Sequence, residues 1–165
     1  MCSKLIAILC ISFYSVVVFS QNIDANASTK APSLSVQTGH SQAINSLVFS
    51  LDNKKVISGS SDNKVIVCDL ATGKQMFELL EHTGNVTCIG FLPSGNTLIT
   101  AGEDKKVCFW SYPEFKLKKV IELRIKVKSM AINPIGSEIA CAGGEVYIIN
   151  TSSFEVVKRY LSEFD

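Results

Sequence analysis

Apolar and polar residues alternate in short runs along most of the chain. From residue 43 onward, apolar-rich runs of about four to eight residues, such as "INSLVF", "KVIVCD" and "QMFELL", are separated by turn-forming Asp-Asn, Ala-Thr-Gly and Pro-Ser-Gly sequences. No segment shows the long 3.6-residue periodicity of a helix that would connect parallel strands. The pattern therefore predicts an all-β chain of antiparallel strands and disfavours a parallel α/β sheet.

The predicted strands fall into three groups of four. They are expected at residues 43–50, 55–59, 64–69 and 74–80, then at 86–92, 97–101, 106–111 and 116–123, and finally at 127–133, 137–142, 145–150 and 154–160. Phe91 and Phe109 lie inside alternating strands and are predicted to be core residues.

The chain also repeats itself. When residues 40–69 are aligned with residues 82–111, His, Phe, Ile, Asp, Lys and Val recur at six aligned positions. A third copy follows with a shortened middle turn. A fixed period of this length indicates a repeat architecture in which each copy is one structural unit.

This repeat resembles the WD-repeat family of β-propellers. The resemblance rests on "GH" at residues 39–40, "HTG" at 82–84, "ISGSSDNKVIVCD" and "LITAGEDKKVCFWS". It implies a partial propeller of about three four-stranded antiparallel blades within residues 34–165. The blades are expected at about residues 40–80, 82–123 and 124–160, the third being degenerate. Since propellers close with about four to eight blades, the ring would be completed either by further blades in a longer chain or by a second identical chain.

The resemblance further implies a hydrogen-bonded network inside each blade. In the second copy its members would be His82, Thr100, Asp104 and Trp110, and in the first copy they would be His40, Ser58 and Asp62, with Cys68 at the tryptophan position. The third copy lacks the histidine and the aspartate and is predicted to be the least stable blade.

A hydroxyl, a histidine and an aspartate also make up a nucleophile triad. A hydrolase would require Ser58 or Thr100 to be exposed and reactive. Because these residues stand at repeated scaffold positions, the structural interpretation is favoured and no catalytic residue is predicted.

Residues 1–20 have a different pattern. One positive charge, at Lys4, precedes the almost unbroken apolar run Leu5–Phe19. This layout predicts a signal peptide cleaved near Ser20/Gln21. A membrane anchor is the alternative, but the run is shorter than the roughly 20 residues that a membrane-spanning helix needs. With a flexible linker over residues 21–33, the sequence predicts a secreted or periplasmic protein without membrane contact after cleavage.

Six cysteines are present, two of them in the predicted leader. The other four lie among apolar residues of predicted strands: Cys68, Cys88, Cys108 and Cys141. Free buried thiols are favoured over oxidised pairs, although an exported protein could form disulfides. The spacing lacks Cys-x-x-Cys, so no metal is predicted, and no cofactor is expected.

Composition adds little to the choice of partner. The chain has 165 residues and a formal charge of +1, and it lacks the basic run that would indicate nucleic-acid binding. The resemblance implies an exported, non-catalytic scaffold or protein-interaction module, forming the N-terminal part of a larger propeller protein, with a protein or peptide partner. The candidate binding face consists of Gln42, Ser61, Gly84 and Glu103. The alternative is a propeller enzyme, a hydrolase or oxidoreductase, with its active site in the channel or outside this segment.

Overall fold

The computed structural model describes residues 39–161, and every regular element in that range is a β-strand. The strands form three separate four-stranded sheets, each antiparallel and each ordered as in the sequence. The predicted all-β array of about three four-stranded blades is therefore confirmed. The predicted leader and linker, residues 1–20 and 21–33, lie outside the described residues.

The strand boundaries follow the alternation of the sequence closely. Blade 1 contains β1 (Ile44–Phe49), β2 (Lys55–Ser60), β3 (Val65–Asp69) and β4 (Gln75–Leu79). Blade 2 contains β5 (Val86–Phe91), β6 (Thr97–Gly102), β7 (Lys106–Ser111) and β8 (Leu117–Glu122). Blade 3 contains β9 (Ser129–Ile132), β10 (Glu138–Ala142), β11 (Val146–Asn150) and β12 (Val156–Tyr160). The largest departures from the predicted bounds are at the starts of β9, expected at 127, and β12, expected at 154.

The core of the protein lies between neighbouring blades. Side chains of a strand point alternately to its two faces, so each blade presents a forward face to the next blade and a backward face to the previous one. The forward face of blade 1 consists of Ile57, Gly59, Val65 and Val67. The forward face of blade 2 consists of Ile99, Ala101, Val107 and Phe109. The backward face of blade 2 consists of Leu98, Thr100, Cys108 and Trp110. The backward face of blade 3 consists of Ile139, Cys141, Tyr147 and Ile149. The apolar members pack into two buried clusters, one at each junction between blades.

Two equivalent hydrogen bonds join the first strand of one blade to the start of the next blade. Asn45 Nδ2 donates to the carbonyl oxygen of Val86 at 3.0 Å, and Thr87 Oγ1 donates to that of Val127 at 2.7 Å. Asn45 and Thr87 occupy the same position in the aligned repeats. The polar side chain in the first strand thus satisfies a backbone acceptor of the following blade.

The turn between the first and second strands of blades 2 and 3 packs against the equivalent turn of the preceding blade. Asn53, Gly95 and Gly136 occupy equivalent positions and all have positive φ, of 54°, 74° and 75°. A Cβ atom on Gly95 would lie 3.0 Å from Leu51, and one on Gly136 would lie 2.8 Å from Pro93. Glycine suits both positions because it adopts positive φ without strain and has no Cβ to clash with the preceding blade. The described residues include no helix long and apolar enough to cross a membrane.

Candidate functional site

The structure brings His82, Thr100, Asp104 and Trp110 of blade 2 into one chain of hydrogen bonds. His82 Nδ1 lies 2.8 Å from Asp104 Oδ2, and His82 Nε2 lies 2.8 Å from Thr100 Oγ1. The indole N–H of Trp110 donates to Thr100 Oγ1 at 3.0 Å. The loop before β5, the strand β6, the turn after it and the end of β7 each supply one member. The network therefore ties β6, β7 and the turn between them to the entrance loop of the blade.

The chemistry of the partners assigns the protons along this chain. A carboxylate only accepts, so His82 Nδ1 carries the proton that it donates to Asp104. Nε2 then accepts the hydroxyl proton of Thr100, whose oxygen accepts from the indole. Burial alone would raise the pKa of Asp104, but hydrogen bonds from His82 and from the backbone N–H groups of Thr83 and Lys106 outweigh it. The pKa of Asp104 is consequently lowered, and the carboxylate stays ionised.

This geometry does not provide a usable nucleophile. Thr100 is completely buried, and its hydroxyl hydrogen-bonds both His82 and Trp110. A hydrolytic triad requires a hydroxyl that can reach a substrate and donors for the developing oxyanion. The arrangement of Thr100 suits a structural role instead, because every polar atom of the network finds a partner inside the blade.

Blade 1 carries the same network without its last member. His40 Nδ1 lies 3.1 Å from both carboxylate oxygens of Asp62, and His40 Nε2 lies 2.8 Å from Ser58 Oγ. Burial would raise the pKa of Asp62, but the backbone N–H groups of Ser41 and Lys64 and the His40 ring lower it overall. No indole reaches Ser58 here, since Cys68 stands at that position. The hydroxyl of Ser58 is 3.4 Å from the carbonyl oxygen of Ile66.

Blade 3 replaces the network by apolar side chains. In the aligned repeats, Leu123 and Cys141 take the positions of His82 and Thr100, and Ile149 takes that of Trp110. Their exposed fractions are 6%, 0% and 0%, and all three belong to the cluster between blades 2 and 3. Apolar residues of blade 3 therefore occupy the positions of the hydrogen-bonded network of blade 2. In blade 3 the entrance loop contacts the sheet through apolar packing.

The residues of the predicted binding face lie in loops at the end of the blades that carries the histidines. Gln42 is exposed, and Ser61 and Glu103 are partly exposed. Equivalent backbone bonds hold these loops: Ser61 N–H donates to Ala43 at 2.9 Å, and Glu103 N–H donates to Asn85 at 2.8 Å. Gly84 is different, because a Cβ there would lie 3.0 Å from the backbone nitrogen of Asp104. Gly84 therefore makes room for the aspartate turn.

Several contacts at the blade junctions were not predicted from the sequence. Besides Asn45 and Thr87, Tyr112 of blade 2 donates its hydroxyl to Asp52 Oδ2 of blade 1 at 2.7 Å. The available signal for the contacts of Asn45 and Thr87 was their alignment, which places a polar residue at the same position of both first strands. Tyr112 has no such repeat partner, so only the relative placement of the blades reveals its role.

The four cysteines of residues 39–161 are free thiols. Burial raises the pKa of Cys108 and of Cys141 to about 12, and it raises the pKa of Cys68 and Cys88 as well. Such thiols are weak nucleophiles at neutral pH because the thiolate is the reactive form. Within the described range, no three histidine, cysteine or carboxylate side chains come together as metal ligands.

Comparison with known protein families identifies the repeat. The family model "WD domain, G-beta repeat" matches residues 32–69 and 73–111. Eukaryotic translation initiation factor 3 subunit I of Bombyx mori is 28% identical over 129 residues, covering 78% of this chain and 39% of that protein. Periodic tryptophan protein 2 of Arabidopsis thaliana is 29% identical over 109 residues, covering 65% and 12%.

A third relative is the p21-activated protein kinase-interacting protein 1-like of Xenopus laevis, 29% identical over 101 residues, covering 60% of this chain and 27% of that protein. The chain thus spans less than half the length of these three relatives. Among solved structures, U3-55K and the RRP9 WD40 repeats each superpose with a TM-score of 0.71 at 18% identity. These superpositions cover 77% of this chain and 42% and 41% of the respective chains, and they establish the fold alone.

The predicted secreted or periplasmic location is wrong. The relatives include a subunit of a translation initiation factor, and translation takes place inside the cell. The prediction depended on the hydropathy of Leu5–Phe19, which lies outside the described residues, and hydropathy alone does not show that an apolar run is used for export.

The first match ends with β3 of blade 1, and the second covers β4 of blade 1 and β5 to β7 of blade 2. The third sheet has the same strand order as the first two. The chain therefore carries two WD40 repeats, and its three sheets have the fold of WD40 propeller blades.

Proposed function

We propose that this chain is a non-catalytic scaffold segment that binds a protein or peptide through its histidine-end loops, defined as residues 40–43, 61–64, 82–85 and 103–105. The observation that carries the proposal is the burial of both hydroxyls, on Ser58 and Thr100, in structural networks. The polar residues that could have suggested catalysis are occupied inside the blades. What remains available to a ligand is the surface of the loops that these networks hold.

The histidine-end loops are held in place before any partner binds. The backbone N–H of Ser41 donates to Asp62 Oδ2 at 2.8 Å, and that of Thr83 donates to Asp104 Oδ2 at 3.0 Å. Each aspartate thus fixes an entrance loop and the turn in which it lies. Loops that are already ordered lose little conformational entropy on binding, which favours affinity for a partner.

A carboxylate of these loops faces a lysine in the segment between β8 and β9. Glu103 lies 3.7 Å from Lys126, and both side chains are substantially exposed. Such a pair contributes little to stability, so its groups can exchange partners with a bound peptide. The names of two relatives describe an initiation factor subunit and a kinase-interacting protein. Association with other proteins is the role that we carry over to this chain.

The test is affinity enrichment of binding proteins with the full chain and with a variant of the histidine-end loops, Ser61→Arg/Glu103→Arg. A matched control makes the same two changes at exposed turn positions elsewhere, Ser152→Arg/Glu114→Arg. We expect the loop variant to lose at least tenfold of the captured partner while the control retains it. Circular dichroism must show that both variants keep their β structure. Equal retention by both variants would refute the proposed face.

A further inference from the structure

Consecutive blades lie close together at their first strands, such as β5 and β9, and diverge toward their last strands, such as β8 and β12. A cleft therefore opens on the outer side of blades 2 and 3. Cross-strand pairs show which side chains face it, because paired residues of neighbouring strands point to the same face of a sheet. This outer cleft is defined by Lys118, Lys119 and Ile121 of blade 2 and by Phe154, Val156 and Arg159 of blade 3.

Two lysines face the outer cleft from blade 2. Lys119 pairs with Phe109, which belongs to the apolar cluster between blades 2 and 3. Lys118 Nζ donates to Thr97 Oγ1 at 3.1 Å, and Thr97 points to the same face of β6 as Ile99. Both lysine side chains are exposed, and the ion pairs of residues 39–161 include neither of them. The blade 2 wall of the cleft therefore presents two cations to solvent.

Blade 3 adds positive charge to the opposite wall. Arg159 pairs with Tyr147, and its guanidinium carbon lies 5.6 Å from the centre of the Tyr147 ring, which faces blade 2. Arg159 donates to the two carboxylate oxygens of Glu145 at 2.6 and 2.7 Å. These hydrogen bonds lower the pKa of Glu145, and the charge of Arg124 lowers it further. Together with the two lysines, the two arginines outnumber this carboxylate.

The corresponding cleft between blades 1 and 2 is closed by aromatic side chains. Phe77 of β4 stands at the position of Lys119 in the aligned repeats. The rings of Phe77 and Phe115 lie 5.0 Å apart, and Phe115 is buried. Phe154 occupies the turn position of Phe115, with a φ of 59° against 54°, but it is only partly buried. With lysine in place of phenylalanine, the outer cleft stays open and Phe154 lies at its base.

An apolar surface flanked by lysines suits an acidic peptide that also carries an apolar side chain. The side chain of Val156 is 43% exposed, so apolar area beside Phe154 is available to such a ligand. A nucleic acid fits this cleft less well. Neutralising a phosphate backbone takes several cations in succession, and Glu145 already occupies Arg159.

We infer that the outer cleft is a second protein-binding surface, which takes an acidic peptide segment with an aromatic or aliphatic residue among its carboxylates. The carboxylates pair with Lys118 and Lys119, and the apolar side chain packs on Phe154. The outer cleft does not include the histidine-end loops, so the inference is independent of the function proposed above.

The probe is a fluorescein-labelled peptide in which single phenylalanines alternate with pairs of glutamates. Fluorescence anisotropy with the full chain measures its affinity. One reference peptide has glutamine in place of every glutamate, and the other has serine in place of every phenylalanine. We expect the acidic aromatic peptide to bind at least tenfold more tightly than either reference. Added salt should weaken its binding, because ions screen exposed charges.

Variants of the full chain locate the binding site. Lys119→Phe gives blade 2 the residue that closes the cleft between blades 1 and 2, and it should lower the affinity at least tenfold without loss of stability in urea. Lys118→Gln/Lys119→Gln should lower the affinity equally. The matched control, Lys54→Gln/Lys74→Gln, removes two exposed lysines of blade 1 and should bind as the wild type does. Circular dichroism establishes that each variant is folded.

Several results would overturn the inference. The wild-type chain could fail to bind the acidic aromatic peptide, or could bind it no more tightly than the glutamine peptide. The cleft variants could retain the wild-type affinity, or the control could lose as much as they do. Tighter binding of a single-stranded oligonucleotide, lost in Lys118→Gln/Lys119→Gln, would identify the cleft as a nucleic-acid site instead.

Discussion

Cys68 and Trp110 occupy the same place in consecutive blades. Cys68 pairs with Val56 across β3 and β2, as Trp110 pairs with Leu98 across β7 and β6. The indole of Trp110 reaches Thr100 and completes a four-member network, whereas the network of blade 1 ends at its serine. The two blades share the same arrangement of strands, and they differ in whether an indole completes the network on the backward face.

The hydroxyl of Thr100 is expected to contribute strongly to stability. Thr100→Val keeps the shape of the side chain but leaves His82 Nε2 and the Trp110 indole N–H without partners. Leaving buried polar groups unpaired costs about 1–3 kcal/mol each, so the free energy of unfolding should fall by at least about 1 kcal/mol in urea titrations. The exposed Thr83→Val is the control and should stay within about 0.5 kcal/mol of the wild type. Equal stability of Thr100→Val and the control would contradict a structural role.

Acid should weaken the blades through their aspartates. The pKa of Asp104 is lower in the folded protein than in the unfolded chain, where it is about 3.9. The stability that its ionised form contributes is therefore present above about pH 4 and is lost as the pH falls through the folded pKa. Urea midpoints at pH 7 and pH 3 should differ more for the wild type than for Asp104→Asn. An equal acid dependence of the two proteins would show that Asp104 does not carry the effect.

Blade 3 should open more readily than blade 2. It lacks the polar network, and the forward-facing Ala140, Ala142, Val146 and Ile148 are partly exposed, whereas blade 2 is packed on both faces. Amide hydrogens of residues 127–160 are therefore expected to exchange faster than those of residues 82–120 in native-state hydrogen exchange. Equal protection of the two ranges would mean that the apolar residues Leu123, Cys141 and Ile149 stabilise blade 3 as well as the network stabilises blade 2.

The thiols should react in the order of their exposure. Burial raises the pKa of Cys108 and Cys141 to about 12, so both remain protonated and shielded in the native protein. Cys68 is partly exposed and should be modified first by a thiol reagent at pH 8. Mass spectrometry of tryptic peptides after short exposure identifies the modified residue. Early modification of Cys108 in folded protein would show that the junction between blades 1 and 2 opens locally.

The fold could be predicted because the information for it is local and repeated. Short alternating runs indicated each strand, and the internal repeat indicated the grouping into blades. The positions of His82, Thr100, Asp104 and Trp110 followed from the resemblance, and the structure supplies the distances between them.

Other features depend on the relative placement of blades and could not be read from one chain. The hydrogen bond from Tyr112 to Asp52 joins two blades without any repeat signal. The apolar residues that replace the network in blade 3 were difficult to recognise in the sequence. The shortened middle turn of the third copy shifts Ile149 relative to Cys141 in the alignment with blade 2. The predicted location failed for another reason: a hydrophobic run near the start of a chain reports hydropathy, and hydropathy does not specify a compartment.

The central claim is that the histidine-end loops bind a partner while the buried networks hold them in place. Hydrogen exchange measured with and without the enriched partner tests this claim most directly. Added protection is expected in the histidine-end loops, with the last strands of blades 1 and 2, β4 and β8, unchanged. Protection confined to β4 and β8, with unchanged exchange in the loops, would contradict the claim.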